Sequence, residues 1–174
     1  DFQVEFLFGS ETDPADFPSL QLLSSADAAL LSVRRRPLQP EQMNLIRQFI
    51  KSGKPVMGIR TASHPFHQRP PTSDPTLVEW PEFDAEVWGG NYTGHHGDAQ
   101  LPKIQANPLE LAHPILGSQP FDFLSSGSLY QTMPLRTGTT TLLMGRIDGE
   151  APQPVAWTYI RPDGGRSFYT SLGH

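Results

Sequence analysis

Five of the six histidines in this 174-residue chain fall in three segments with the marks of loops: His64 and His67, the adjacent pair His95 and His96, and His174. Imidazole exchanges protons near neutral pH more readily than any other side chain, and it also ligates transition metals. No HxxxH or HxH spacing accompanies these residues, so acid–base work is the favoured chemistry and no metal ligand is assigned. Nothing in the sequence specifies a cofactor. Asp98, two residues beyond the histidine pair, is placed to orient an imidazole, whereas Glu79, Glu82, Asp84 and Glu86 read as solvated. Ser63 beside His64 is a poor nucleophile candidate, because GxSxG is absent and adjacent residues rarely hydrogen-bond as nucleophile and base. The chain has no cysteine, which excludes disulfides, thiolate metal sites and a cysteine nucleophile. Trp80, Trp88, Tyr92 and Trp157 could stack on a sugar, with core filling the alternative for at least two of them.

Positioning these groups requires strands that end where the loops begin. Lys54 to Ile59 is an apolar run that gives way at once to Arg60-Thr61-Ala62-Ser63-His64, the way α/β proteins present a reactive side chain at a sheet's carboxyl edge. At the chain's far end, Val155 to Tyr159 and Ser167 to Leu172 read as two strands joined by a turn on Asp163, Gly164 and Gly165, a hairpin that delivers His174. If the strands ending at Ile59 and Leu172 are parallel, both ends share one edge, and the glycine-dense segment 89–98 can fold over them.

Further strands are predicted over Gln3–Phe8, Asp27–Val33, Lys103–Ala106 and Thr141–Gly145. The spacing predicts one strong helix over Pro40–Ser52, with Pro at its first position, Glu41 at the positive end of the dipole, and Met43, Ile46, Phe49 and Ile50 in one apolar stripe ended by Gly53. Leu20 to Leu23 suggests a helical turn and Trp80–Trp88 a short helix. The strand–helix–strand alternation of the first third points to a parallel sheet with covering helices. No internal repeat and no second core is visible, so the chain reads as a single domain over 1–174.

Composition narrows the function classes. With 18 Pro and 15 Gly, long irregular connections must separate the elements, while ten Phe, four Tyr and three Trp supply a core. A net charge of −5 argues against a nucleic-acid footprint. The one basic run, Arg34-Arg35-Arg36, reads as solvated or structural, with anion binding the alternative. No apolar run is long enough to cross a membrane, which takes about 18 residues or more.

Taken together and in this order, GKPVMGIRTASHPF, GGNYTGHHG, AHPI, PVAWT and GGRSFYTSLGH resemble the ThuA-like (trehalose utilisation) family, a branch of the class I glutamine amidotransferase-like superfamily. The resemblance runs from about Asp27 to His174. It implies a flavodoxin-like three-layer α/β/α sandwich with a mostly parallel central sheet, lacking here an N-terminal strand before Asp1 and a C-terminal helix after His174. The superfamily's amidotransferases carry cysteine at the elbow position that is Arg60 here, so glutamine hydrolysis by that route is not expected. Many ThuA-like proteins have histidine there, which shifts attention to His64, His96 and His174 as acid–base groups and to Arg60 as a clamp for an anionic or enolate oxygen, with a buried ion pair its alternative role. Thr61, Ser63, Asn91, Tyr92, His95 and Trp157 are the expected substrate contacts. The resemblance implies a carbohydrate-metabolism enzyme acting on a sugar or keto-sugar, or, alternatively, a non-catalytic carbohydrate-binding or interaction domain on the same fold. The expected partner is a small-molecule carbohydrate rather than nucleic acid or membrane, with self-association left open.

Overall fold

The computed structural model describes residues 2–97, 99–117 and 119–173. Its helix forms where periodicity and end signals agree. α1 (Pro40–Lys51) places Pro in its first turn, Glu41 at the positive end and Lys51 at the negative end, and buries Met43, Ile46, Phe49 and Ile50. Gly53, at φ 74°, ends it in the left-handed conformation that a Cβ would oppose. Flanking α1 are β1 (Ala29–Leu31) and β2 (Val56–Ile59), paired parallel with Leu30 opposite Met57.

The remaining strands are β3 (Gly94–His95), β4 (Lys103–Ala106), β5 (Asp122–Leu124), β6 (Tyr130–Gln131), β7 (Thr139–Arg146), β8 (Gln153–Ile160) and β9 (Arg166–Thr170). Seven strands make one sheet in the order β1-β2-β9-β8-β7-β4-β5, and β3 pairs with β6 in a separate ribbon. Only the β1–β2 and β2–β9 pairings are parallel; the other four in the large sheet are antiparallel. The sheet is therefore mixed rather than mostly parallel. Parallel neighbours need a crossover of a dozen or more residues, usually a helix, whereas a hairpin turn reverses the chain. Beyond β2 the chain reverses between β7 and β8 and again at Asp163-Gly164-Gly165, and among the described residues α1 is the only α-helix. The fold is a mixed α/β sheet with few helices.

The expected strand at Gln3–Phe8 is not formed. This stretch has no strand pairing, and Phe2, Phe6 and Phe8 are exposed. An alternating apolar pattern makes a strand only where a neighbour takes its ladder hydrogen bonds. β3, β5 and β6, by contrast, are two or three residues long and left no periodic signal to read.

The β8–β9 hairpin is formed, with Trp157 opposite Tyr169. Asp163 accepts a hydrogen bond from the Gly165 N–H at 2.7 Å, and buried Arg161 reaches across to donate to the carbonyls of Ile50 (3.2 Å) and Lys54 (3.0 Å). The turn is thereby fastened to the end of α1 and the start of β2. Because β9 also runs parallel to β2, with Ile59 opposite Thr170, the two carboxyl ends meet on one edge. β9 feeds both apolar clusters as strand alternation requires: Tyr169 packs with Trp88, Trp157 and the α1 residues, and Phe168 with Ile104, Leu142 and Val155. Gly58 lets Trp88 lie on the β2 backbone, where an added Cβ would stand 2.6 Å from Trp88 Cζ2.

Candidate active site at the sheet edge

At the end of β2 the chain turns sharply. Arg60 takes φ 51°, a left-handed conformation unusual for a residue with a Cβ, and opens the 3₁₀ turn Arg60–Ser63. The Tyr169 hydroxyl holds this strained turn by donating to the Arg60 carbonyl at 2.5 Å. Burial keeps that phenol protonated far above its ordinary range, so it remains a donor.

The Arg60 side chain folds back into the structure. Its Nη1 donates to the carbonyls of Ser128 and Ser171, each at 2.9 Å, its Nη2 to Ser128 Oγ at 2.8 Å, and its guanidinium lies 4.1 Å from the Tyr130 ring centroid. These contacts tie the elbow to the end of β9 and to the segment before β6. These contacts give Arg60 the role of a strut.

From Arg60 a line of rings leads to His64. Tyr130 packs on Tyr92 at 4.6 Å, and Tyr92 on the His64 imidazole at 4.7 Å. The imidazole is fixed at its other end, with Nδ1 2.8 Å from Ser63 Oγ. Adjacent residues do hydrogen-bond here, contrary to expectation, because the 3₁₀ turn folds both side chains inward. Ser63 is buried and its hydroxyl also lies against the Tyr169 phenol. Tyr169 donates onward to Arg60, so the arrangement suits the tautomer in which His64 Nδ1–H donates to Ser63 Oγ. This tautomer leaves the lone pair on Nε2. Burial, then the charges of Arg35, Arg34, Arg69 and Arg60, push the His64 pKa down to about 4, so its imidazole is neutral at physiological pH.

Tyr92 owes its place to a residue the sequence placed in solvent. Asp84 begins the π-helical turn Asp84–Trp88, a geometry frequent at functional sites. Its Oδ2 accepts the Tyr92 N–H at 2.6 Å, and its Oδ1 is shielded from water with no hydrogen-bond partner. Burial raises its pKa to about 7 against the opposing pull of the Tyr92 N–H. Gly90 fits beside it because a Cβ there would stand 2.7 Å from Oδ1. The available signal was a carboxylate set between Phe83 and Val87 in an apolar stretch. Tyr130, in a two-residue strand, gave none.

The other expected site residues separate into groups. His95 lies across β3–β6 from Tyr130, with ring centroids 6.2 Å apart, and so joins the aromatic line. His96, one residue on, sits 3.9 Å from Glu150 in the β7–β8 turn. His67 Nδ1 lies 3.5 Å from Glu79, which also accepts the N–H groups of Gln68 and Thr72. Thr61 is half-buried in the elbow turn and its carbonyl accepts the His64 N–H. Asn91 is exposed and donates to the Met133 carbonyl. Trp157 is a correction: 1% exposed, with Nε1 bonded to the Trp88 carbonyl, it belongs to the core and has no face to offer a sugar. His174 and Asp98 lie outside the described residues; Gly173 stands over Ile59. Among the described residues no three His, Asp or Glu side chains converge as metal ligands would, and no helix is long and apolar enough to cross a membrane.

The family model described as "ThuA: Trehalose utilisation" matches residues 3–174. The chain belongs to the ThuA family. Solved ThuA-like structures resemble it: one from Bacteroides uniformis at TM-score 0.65 and 17% identity, over 94% of this chain and 66% of that one; and one from Parabacteroides merdae at 0.60 and 16%, over 87% and 61%. A cytoplasmic protein from Salmonella typhimurium matches at 0.60 and 13%, over 90% and 65%. This ThuA chain thus spans less than two thirds of those structures' length, and at these identities they speak for the fold alone. No curated protein matches. The family is described by trehalose utilisation, a part of carbohydrate metabolism.

Proposed function

We propose that this ThuA domain processes a sugar or keto-sugar at the carboxyl edge of β2 and β9, with His64 as the proton-accepting group. The observation that carries the reading is the half-buried His64 imidazole, stacked on Tyr92 and anchored through Nδ1 to Ser63, which leaves a neutral Nε2 lone pair in a positively charged surround. Such a group can accept the proton from a carbon next to a ketone, the C–H electron pair passing into the enolate, while the surrounding arginines favour the negative charge that develops on oxygen. Returning the proton to the same or a neighbouring carbon completes an isomerisation. Tyr92, half-buried beside the imidazole, is the aromatic contact for the sugar. Asp84 and Ser63 are positioning residues, acting through Tyr92 and His64.

A second reading, a carbohydrate-binding domain without catalysis, is supported by the strut role of Arg60, which turns the elbow residue toward structure. Substitution separates the two, because a catalytic group acts mainly on the transition state and a binding group equally on the ground state. Under the enzyme reading, His64→Ala lowers turnover of a keto-sugar by about 100-fold or more, as for lost acid–base catalysis, and leaves affinity nearly unchanged. Turnover assays and calorimetry over disaccharides and their 3-keto forms make the measurement. Saturable binding with no product from any of them establishes the binding domain instead.

A further inference from the structure

Beside His64 lies a cleft of about 440 Å³ lined by Arg35, Gln68, Arg69, Pro70, Pro71, Thr72 and Ser73. Its walls are built rather than loose. Arg35 takes φ 51°, and its backbone is tied down by hydrogen bonds from the Arg35 N–H to the His64 carbonyl (3.0 Å) and from the Arg36 N–H to the Pro65 carbonyl (2.7 Å). The loop that carries Gln68 to Ser73 is held by Glu79, which accepts the Gln68 and Thr72 N–H groups and faces His67. Among the described residues none of Arg34, Arg35 and Arg69 forms an ion pair, and Arg35 Nη1 is shielded from water with no hydrogen-bond partner. A guanidinium nitrogen in that state costs free energy until an acceptor arrives. Planar, forked guanidinium groups match a carboxylate or phosphate in particular.

We propose that the ligand of this site is an anionic carbohydrate, whose carboxylate or phosphate is held by Arg35 and Arg69, with Arg34 adding to the field, while its ring lies toward Tyr92 and His64. The inference rests on the sugar-processing reading above and deepens it. It also explains how a weakly basic imidazole becomes useful. The charged and titratable groups around His64 are Arg34 and Arg35 after β1, Arg60 at the elbow, Arg69 on the cleft loop, the phenols of Tyr92 and Tyr130, and, behind Tyr92 and Ser63, the Asp84 carboxyl and the Tyr169 phenol. The arginines oppose a proton on His64. An anion seated on them cancels that opposition, so binding raises the basicity of His64 and proton uptake accompanies it. The free enzyme holds a neutral imidazole, and the correct ligand makes it a stronger base.

The test is calorimetric binding of glucose, glucuronate, glucose 6-phosphate and inorganic phosphate to the chain, with the His64 ring followed by NMR titration. Glucuronate or glucose 6-phosphate binds at least about 10-fold tighter than glucose, as expected for charge-assisted contacts in a partly dry cleft. That preference weakens with added salt and falls to about 3-fold or less in Arg35→Gln and Arg69→Gln, and the His64 titration moves upward on binding. Which of the two acidic sugars binds tighter distinguishes carboxylate from phosphate. Equal affinity for glucose and glucuronate, unaffected by either substitution, overturns the anionic inference and leaves the sugar reading standing. Tight inorganic phosphate binding that depends on both arginines, with no gain from any attached sugar, supports the anion cleft and sinks the sugar reading. No saturable binding of any of the four overturns the inference. Folding of each variant is verified by its denaturation midpoint, and the double variant Arg34→Gln/Arg69→Gln, which leaves half-buried Arg35 in place, gives an independent reading of the same loss.

Discussion

Asp84→Asn should expose a pH dependence that the native protein conceals. Two groups beside the elbow titrate abnormally in opposite directions. His64 falls from 6.5 to about 4, so the unfolded chain holds the extra proton between those values and stability grows as pH rises through the window. Asp84 rises from 3.8 to about 7, so the folded chain holds the extra proton, and its contribution, complete below the unfolded value, is lost as pH rises through the folded one. Each proton is worth about 1.4 kcal/mol per pH unit at most. For buried Asp84 the whole span amounts to about 4 kcal/mol. For half-buried His64 the ceiling near 3 kcal/mol comes down to about 1–2 kcal/mol once solvent screening is allowed for. From pH 4 to 6.5 the two slopes oppose each other and the pair contributes little net trend. Asparagine keeps an oxygen for the Tyr92 N–H and cannot ionise. The stability of the variant minus that of the native chain should therefore rise by about 1 kcal/mol per pH unit between pH 4 and 7, whatever the other carboxylates do. Urea denaturation at half-unit pH steps, followed by the fluorescence of buried Trp88 and Trp157, measures that difference. A difference independent of pH would mean that Asp84 is ionised in the folded chain, and the account of its burial would fail.

Two further substitutions test the frame around the site. Arg60→Met removes the donors to Ser128 and Ser171 and leaves their carbonyls short of partners; a loss of about 2–4 kcal/mol is expected by denaturant titration. A loss under about 0.5 kcal/mol, typical of neutral surface changes, would show that Arg60 is no strut. Gly58→Ala drives a methyl into the Trp88 ring and should cost about 1–3 kcal/mol with a shift in tryptophan emission, whereas an unchanged midpoint and spectrum would refute the close approach of Trp88 to β2.

Local order was legible wherever the chemistry was local. Pro40, Glu41, the Met43-Ile46-Phe49-Ile50 stripe and Gly53 define α1 within fourteen consecutive residues, and α1 forms there. The Asp163-Gly164-Gly165 turn and its flanking strands are equally self-contained, and the hairpin forms. Five motifs in order pointed to the ThuA family, to which the chain belongs. Apart from that hairpin, strand direction in the second half was not legible, since it is set by which strands meet across long irregular connections and not by the residues within each strand. Nor could Gln3–Phe8 announce that no strand would pair with it.

At the site, residue identity came from the sequence and residue role from tertiary contacts. The Ile59–Arg60 break marked the elbow, but the acceptors of Arg60 lie 68 and 111 positions further along, so nothing near it could say that its guanidinium would turn inward. His64 was visible as an imidazole after a strand. Its neutrality was decided by burial and by arginines that arrive from the ends of β1 and from the cleft loop. Asp84 looked solvated among its neighbours in sequence because only the fold lays Gly90 and Tyr92 over its carboxyl group. Trp157 was equally aromatic in either role, and the stacking of β8 on β9 and Trp88 put it in the core. Sequence alone determined which side chains exist and which short segments are helix, strand or turn, because those preferences act over a few residues. Desolvation and charge act through space, and only the tertiary structure decided which groups would share a low-dielectric pocket and so what each could do.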